Sequence, residues 1–208
     1  MEYRTLGDSD LRVSEICLGT WTTFGGSLDD DAAIELVDAA LDAGINFFDT
    51  ANVYSEGRSE EVLGRALAGR PRDSFVVATK VYGEMPNGDR GLSREQVLKQ
   101  IDDSLGRLQL DHVDLYQCHS WDDDVPVEET LGALTEVVGA GKARFVGVSN
   151  WSGEQTSTLS FRLDQLDAAD DVGQELVLRF EEQDGIAKLA RLDANGLHVE
   201  LFHILTFT

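Results

Sequence analysis

An α/β fold is expected for this chain of 208 residues, because short apolar runs alternate with amphipathic helical patterns at intervals of roughly thirty residues. Five such runs occupy the first part: "EICLGTW" (15–21), "INFFDTA" (45–51), "FVVATKV" (75–81), "VDLYQCH" (113–119) and "RFVGVSN" (144–150). Each lacks clean polar alternation, as strands do when a parallel sheet buries both their faces. On this pattern alone, an open doubly wound sheet and a (β/α)8 barrel both fit.

The elements follow in order. "YRTLGDSDLRVS" reads as a β-hairpin with its turn around residues 7–10, placed to cover one end of a barrel. A helix over 28–43 has Ser27 and Asp30 in capping-box spacing, an apolar stripe of Ile34, Val37, Ala40 and Leu41, and Gly44 as its stop. A second helix, 59–68, carries Val62, Leu63, Ala66 and Leu67. The third, 94–108, starts at Ser93 with Gln96 as capping partner and stripes Val97, Ile101, Leu105 and Leu108. The fourth, 127–139, turns Leu131, Leu134 and Val138 to the core before Gly139 and Gly141 break it. After Trp151 the signals weaken. "SGEQTST" (152–158) reads as a linker, 174–180 and 198–207 as strands, and 184–194 as a short helix.

Composition narrows the function classes. Acids outnumber bases by 39 to 17, which disfavours phosphate backbones and anionic lipid as partners. Neither a nucleic-acid nor a membrane partner is therefore expected. The acids are dispersed, as on a solvated surface adapted to salt in a halophilic host. No apolar run approaches the roughly 20 residues of a membrane span, and the acidic N-terminus lacks a signal-peptide pattern, so a cytoplasmic location is expected. Cys17 and Cys118 lie inside buried strands without metal-like spacing and read as core thiols, so no metal site is expected.

In parallel α/β folds the strand ends gather functional groups at one face. Here they supply Gly19, Thr20 and Trp21, then Asp49 and Tyr54, then Lys80, His119, and finally Ser149 with Asn150. Singly, an aspartate there is most often a cap, a tyrosine a rim aromatic and a histidine a satisfied interior group. Lys80 is harder to dismiss, since a lysine ending "FVVATK" needs a nearby anion, and Asp49 is the natural one. Together the set suits proton transfer by a phenol. A cationic Lys80 favours the Tyr54 phenolate, Asp49 holds Lys80 charged, and His119 orients a substrate oxygen or shares in relaying the proton. Protonating a carbonyl oxygen is half of a reduction. The other half, hydride delivery, implies a nicotinamide cofactor, whose carboxamide Ser149 and Asn150 could hold.

The segments "FFDTANVYSEGRSEEVLG", "VVATKV", "DLYQCH" and "FVGVSN" resemble, in order and spacing, the signature of the aldo-keto reductases. The resemblance covers about residues 1–152. It implies a (β/α)8 TIM barrel with a β-hairpin at its base, Tyr54 as general acid, Lys80 and Asp49 as its tuning pair, and His119 orienting the carbonyl. It also implies Ser149 and Asn150 on the nicotinamide amide, with Gly19, Thr20, Trp21 and Asp49 on the cofactor side. "GRSEEVLGRAL" and "YQCHSWD" look closer to bacterial, archaeal and potassium-channel-β-like branches than to vertebrate aldose reductases.

The resemblance stops near Ser152. The family continues through three more strands, with a glutamine after the sixth and an adenosine-phosphate site after the last two. No counterpart is legible in 153–208, neither a "YSLL"-like strand nor a Gly-Pro-Arg-rich motif. The expected architecture is an incomplete barrel of about five βα units over 1–152 with an atypical tail, 153–208, as a truncated, frameshifted or recombined gene would encode. The expected activity is reduction of a small aldehyde or ketone with NADPH, with NAD as the other candidate cofactor. The alternatives are a catalytically inactive remnant, a regulatory or binding protein, and an oligomer in which two chains complete one barrel.

Overall fold

The computed structural model describes residues 1–7 and 9–156, together with the backbone of strands at 176–181, 186–193 and 196–203. At the N-terminus β1 (Tyr3–Thr5) and β2 (Arg12–Ser14) form the expected antiparallel hairpin, with Tyr3 opposite Ser14. Its apolar side chains, Leu6, Leu11 and Val13, are buried.

Five strands follow: β3 (Cys17–Gly19), β4 (Phe47–Asp49), β5 (Val76–Val81), β6 (Val113–Cys118) and β7 (Ala143–Val148). All pair in parallel, in chain order. Between them run α1 (Asp30–Asp42), α2 (Arg58–Leu67), α3 (Arg94–Leu108) and α4 (Val127–Gly139). A doubly wound sheet reverses its strand order partway, whereas a barrel adds each strand beside the last. The observed order is the barrel's, carried through five strands, and so an incomplete TIM-type α/β fold.

Strand parity sorts the side chains into two layers. Phe47, Val76, Ala78, Leu115 and Phe145 cluster with Leu6, Leu11, Val13 and Cys17, so the hairpin plugs the inner face at its base. Their neighbours Phe48, Val77, Tyr116 and Val146 pack with the helices on the other face. This parity carries Asp49 and Lys80 onto the inner face, two residues beyond Phe47 and Ala78, and turns Thr79 outward.

Two ends of α1 and α3 show how capping competes. Ser93 caps α3 by accepting from the Gln96 amide, as its spacing predicts, although the Gln96 side chain donates to Asp89 instead of closing the box. At α1 the expected Ser27 cap is replaced by Asp29, whose carboxylate accepts from the Ala32 amide at 2.9 Å. Ser27 instead donates to the Thr22 carbonyl within a preceding turn, Thr23–Ser27. An ionised cap next to Asp30 and Asp31 suits the positive helix end better than a hydroxyl. In α4, Val137 is the fully buried core residue, with Val138 only partly buried.

The base of the sheet holds a buried carboxylate. Asp114 accepts from the Val77 amide at 2.8 Å, from Arg72 at 2.6 Å and from Arg144 at 3.1 Å. Arg144 also grips Asp10 of the hairpin turn, which ties the plug to β6 and β7.

Residues 153–156 form a helical turn instead of a linker. Ser152 and Gln155 cap it reciprocally, with the Gln155 amide donating to Ser152 Oγ and the Ser152 amide donating to Gln155 Oε1. The rest of the expected linker, 157–158, lies outside the described residues. Beyond it, β8 (Leu176–Glu181), β9 (Ile186–Asp193) and β10 (Gly196–His203) form an antiparallel sheet with β9 central. Of the helix expected at 184–194, residues 186–193 are thus a strand, and 184–185 and 194 lie outside the described residues. An isolated helix of this length is marginal, while β9 pairs its backbone on both edges. The remaining ends of the two expected strands, 174–175 and 204–207, lie outside the described residues. No helix among the described residues is long and apolar enough to cross a membrane.

Candidate active site

Tyr54 sits on a tight turn, Tyr54–Gly57, between β4 and α2. Ser55, Glu56 and Gly57 all adopt positive φ, at 48°, 57° and 91°. For Ser55 and Glu56 this conformation is strained, by about 1 kcal/mol or more each. Contacts to the loop after β3 hold the turn: Ser55 and Ser59 both donate to the Phe24 carbonyl, at 2.9 and 2.8 Å.

Lys80 lies at the centre. Its ammonium donates to Asp49 Oδ1 at 2.5 Å, to the Thr50 carbonyl at 2.9 Å and to the Tyr54 hydroxyl at 3.2 Å. The same nitrogen stands 4.9 Å from the Tyr54 ring centroid. Lys80 is only 4% exposed and Asp49 8%. Burial by itself would lower the lysine pKa. The Asp49 carboxylate and the Tyr54 oxygen more than offset it, so Lys80 is held above its ordinary value and stays charged. Thr50, which the sequence did not single out, contributes through its backbone, and a main-chain acceptor leaves no trace in residue type.

His119 presents its ring edge-on to Tyr54, with centroids 5.5 Å apart. Burial, and then the Lys80 charge, push its pKa down to about 4. At neutral pH His119 is therefore an uncharged imidazole, suited to donating one N–H to an oxygen. Trp21 also neighbours Tyr54, with ring centroids 6.4 Å apart and planes tilted by 32°, and is exposed.

The remaining candidates fall into two groups. Gly19 ends β3 opposite Asp49, and Thr20 is fully buried, its amide donating to the Asp49 carbonyl and its hydroxyl to Thr50 Oγ1. Thr20 thus braces the Asp49 segment from behind. Ser149 and Asn150 follow β7. The Asn150 amide donates to the His119 carbonyl at 2.9 Å and to Ser149 Oγ at 3.1 Å, with a backbone φ of 57°. A hydroxyl and a carboxamide held together at the strand end match the donor and acceptor needs of a nicotinamide amide. The two cysteines are buried and form no disulfide among the described residues, and burial pushes the Cys118 thiol up to about 12, which leaves it unreactive.

Three further polar groups belong to this neighbourhood. Gln117, opposite Lys80 in register, is fully buried with neither amide atom partnered among the described residues. On the opposite face of the lysine strand, the Thr79 hydroxyl donates to Glu60 at 2.5 Å. The sequence did not single out Glu60, although it shares the i, i+3, i+7 face of α2 with buried Leu63 and Leu67.

Comparison with known proteins shows the family. The model of the aldo/keto reductase family matches residues 15–197. A protein of Oryza sativa subsp. japonica named as a probable voltage-gated potassium channel subunit beta is 46% identical over 159 residues, covering 74% of this chain and 48% of that protein. A protein of the same name from Arabidopsis thaliana is 41% identical over 171 residues, covering 80% of this chain and 52% of that one. The crystal structure of a thermostable aldo-keto reductase in complex with the inhibitor epalrestat is similar with a TM-score of 0.68 at 33% identity, covering 76% of this chain and 57% of that chain. The chain spans about half the length of these curated relatives.

Proposed function

The chain belongs to the aldo/keto reductase family, and we propose that it reduces the carbonyl group of a small aldehyde or ketone to an alcohol, with NADPH as the reductant. One observation carries this reading: the Lys80 ammonium lies within hydrogen-bond reach of both Asp49 and the Tyr54 hydroxyl. When bound, the nicotinamide supplies a hydride, two electrons and one hydrogen, to the carbonyl carbon. The chain's own groups manage the oxygen. Neutral His119 donates a hydrogen bond to it and fixes its direction, with the exposed Trp21 ring beside the phenol. Tyr54 gives its hydroxyl proton to the oxygen as negative charge develops there. The Lys80 ammonium stabilises the phenolate left behind until solvent restores the proton, and Asp49 keeps that ammonium in place. Ser149 and Asn150 hold the carboxamide, with Gly19 and Thr20 shaping the adjoining loop. The division at residue 152 and a cytoplasmic setting are part of the same proposal.

The test is loss of nicotinamide absorbance on mixing the chain with NADPH and a panel of carbonyl compounds at high salt. Tyr54→Phe should lower kcat by about 100-fold or more without unfolding the chain. Folded wild-type protein without turnover would sink the reading. A second reading, a regulatory or binding protein without turnover, is favoured by the channel-subunit names of the two plant relatives. NADPH turnover that Tyr54→Phe abolishes would count against it.

A further inference from the structure

Directly behind the candidate site lies a buried polar cluster that takes no part in the proposed chemistry. Glu60, in the first turn of α2, is fully buried. Its Oε1 accepts from the Thr79 hydroxyl at 2.5 Å, and its Oε2 accepts from Arg107 Nε at 2.7 Å. Arg107, in the last turn of α3, also donates to Ser104 Oγ at 3.2 Å. Burying a carboxylate is unfavourable unless charge and hydrogen bonds compensate it, and a packed apolar residue is often as stable there.

The position of the cluster gives it a use. Thr79 precedes Lys80 on β5, and strand parity sends their side chains to opposite faces. Glu60 lies in the first turn of the helix that Tyr54 leads into, six residues later in the chain. The two ends of the Glu60–Thr79 hydrogen bond therefore sit on the two segments that present the phenol and the ammonium. Arg107 completes the arrangement by packing under Gly57, where a Cβ would come within 2.8 Å of Arg107 Cδ. The strained turn, Tyr54–Gly57, is pinned from below by the guanidinium and from α2 by the carboxylate it binds.

We propose that Glu60, clamped between Thr79 and Arg107, is a positioning residue that sets the separation of the Tyr54 hydroxyl from the Lys80 ammonium. The inference rests on the reductase reading for its kinetic consequence, but its geometric content is independent of turnover. Thr79→Val removes the hydroxyl while preserving a β-branched side chain in β5, and Glu60→Gln removes the charge with little change in volume. Thr79→Ser keeps the hydroxyl and should behave as wild type.

The experiment uses the full chain labelled at tyrosine 13Cζ, with Tyr54→Phe to assign the signal, and follows the phenol titration alongside kinetics. Thr79→Val and Glu60→Gln should raise the Tyr54 titration midpoint relative to wild type by about half a pH unit, because the ammonium no longer sits against the phenolate. They should lower kcat about tenfold with KM for the carbonyl within about twofold, as expected for a misplaced acid. A lower melting temperature with unchanged titration and unchanged kcat would show a merely structural role and overturn the proposal. If the wild type shows no turnover but the midpoint still moves, the reductase reading fails and the positioning inference stands. No movement in any variant that stays folded overturns it, with or without turnover.

Discussion

Lys80 on β5 reaches one strand across to Asp49 on β4, and its ammonium contacts the carboxylate, a main-chain carbonyl and the Tyr54 hydroxyl at once. Ammonium donor and carboxylate acceptor are both buried, so solvent and salt screen the pair little. Asp49→Asn should destabilise the chain by about 3 kcal/mol, because it leaves a buried ammonium without its counter-charge. Urea unfolding of the two proteins at neutral pH measures this. A loss below about 1 kcal/mol would mean that the Thr50 carbonyl suffices.

His119 predicts a pH dependence. In the unfolded chain its imidazole takes up a proton near 6.5, whereas in the folded chain burial holds it neutral down to about 4. Between these values the unfolded state binds the extra proton, so its contribution to stability is present above pH 6.5 and is lost as pH falls toward 4. Between pH 7 and pH 5 the wild type should lose about 1–2 kcal/mol more than His119→Gln does. Equal losses in paired denaturation curves would refute the assignment.

Gly64 marks a close approach of α2 to the end of α3. A Cβ there would lie 2.5 Å from the Leu108 carbonyl oxygen, a backbone atom that cannot rotate away. Gly64→Ala gains helix propensity but must push the helices apart, and a net loss of about 2 kcal/mol is expected. The change is read as a lower melting temperature, and a stabilised variant would contradict the packing.

The charge balance makes a solvent prediction. With a net charge of -22, self-repulsion opposes the compact state, and chloride salts screen it. Raising potassium chloride from low to molar concentration should raise Tm by about 5 °C, roughly 2 kcal/mol for a chain of this size. An unchanged or falling Tm in scanning calorimetry would show that the acids are already balanced locally.

Much of this fold is legible in the residues, and the reasons are local. Five apolar runs and four stripes locate the strands and helices of the first 148 residues within a few positions, because burial on one or both faces imposes a period on the chain itself. Where two local signals compete, local reading fails. Ser27 and Asp29 both offer a cap to α1, and the ionised group beside the helix end takes it. The helix expected at 184–194 fails for another reason: pairing with two neighbouring strands, invisible in its own residues, gives the segment from Ile186 to Asp193 its extended form.

What the sequence determined by itself is the chemistry available at the strand ends: a phenol, an ammonium, a carboxylate and an imidazole, in that family's order. Tertiary structure alone decided what those groups do to one another. Parallel register sets Asp49 and Lys80 on one face, three positive-φ residues turn Tyr54 back over the ammonium, and burial strips the proton from His119. Distance and dielectric govern electrostatic coupling, and both depend on which segments pack together rather than on which residues they contain. Glu60 shows both halves: its place on a buried helix face could be read from spacing, but its two partners, on another strand and another helix, could not.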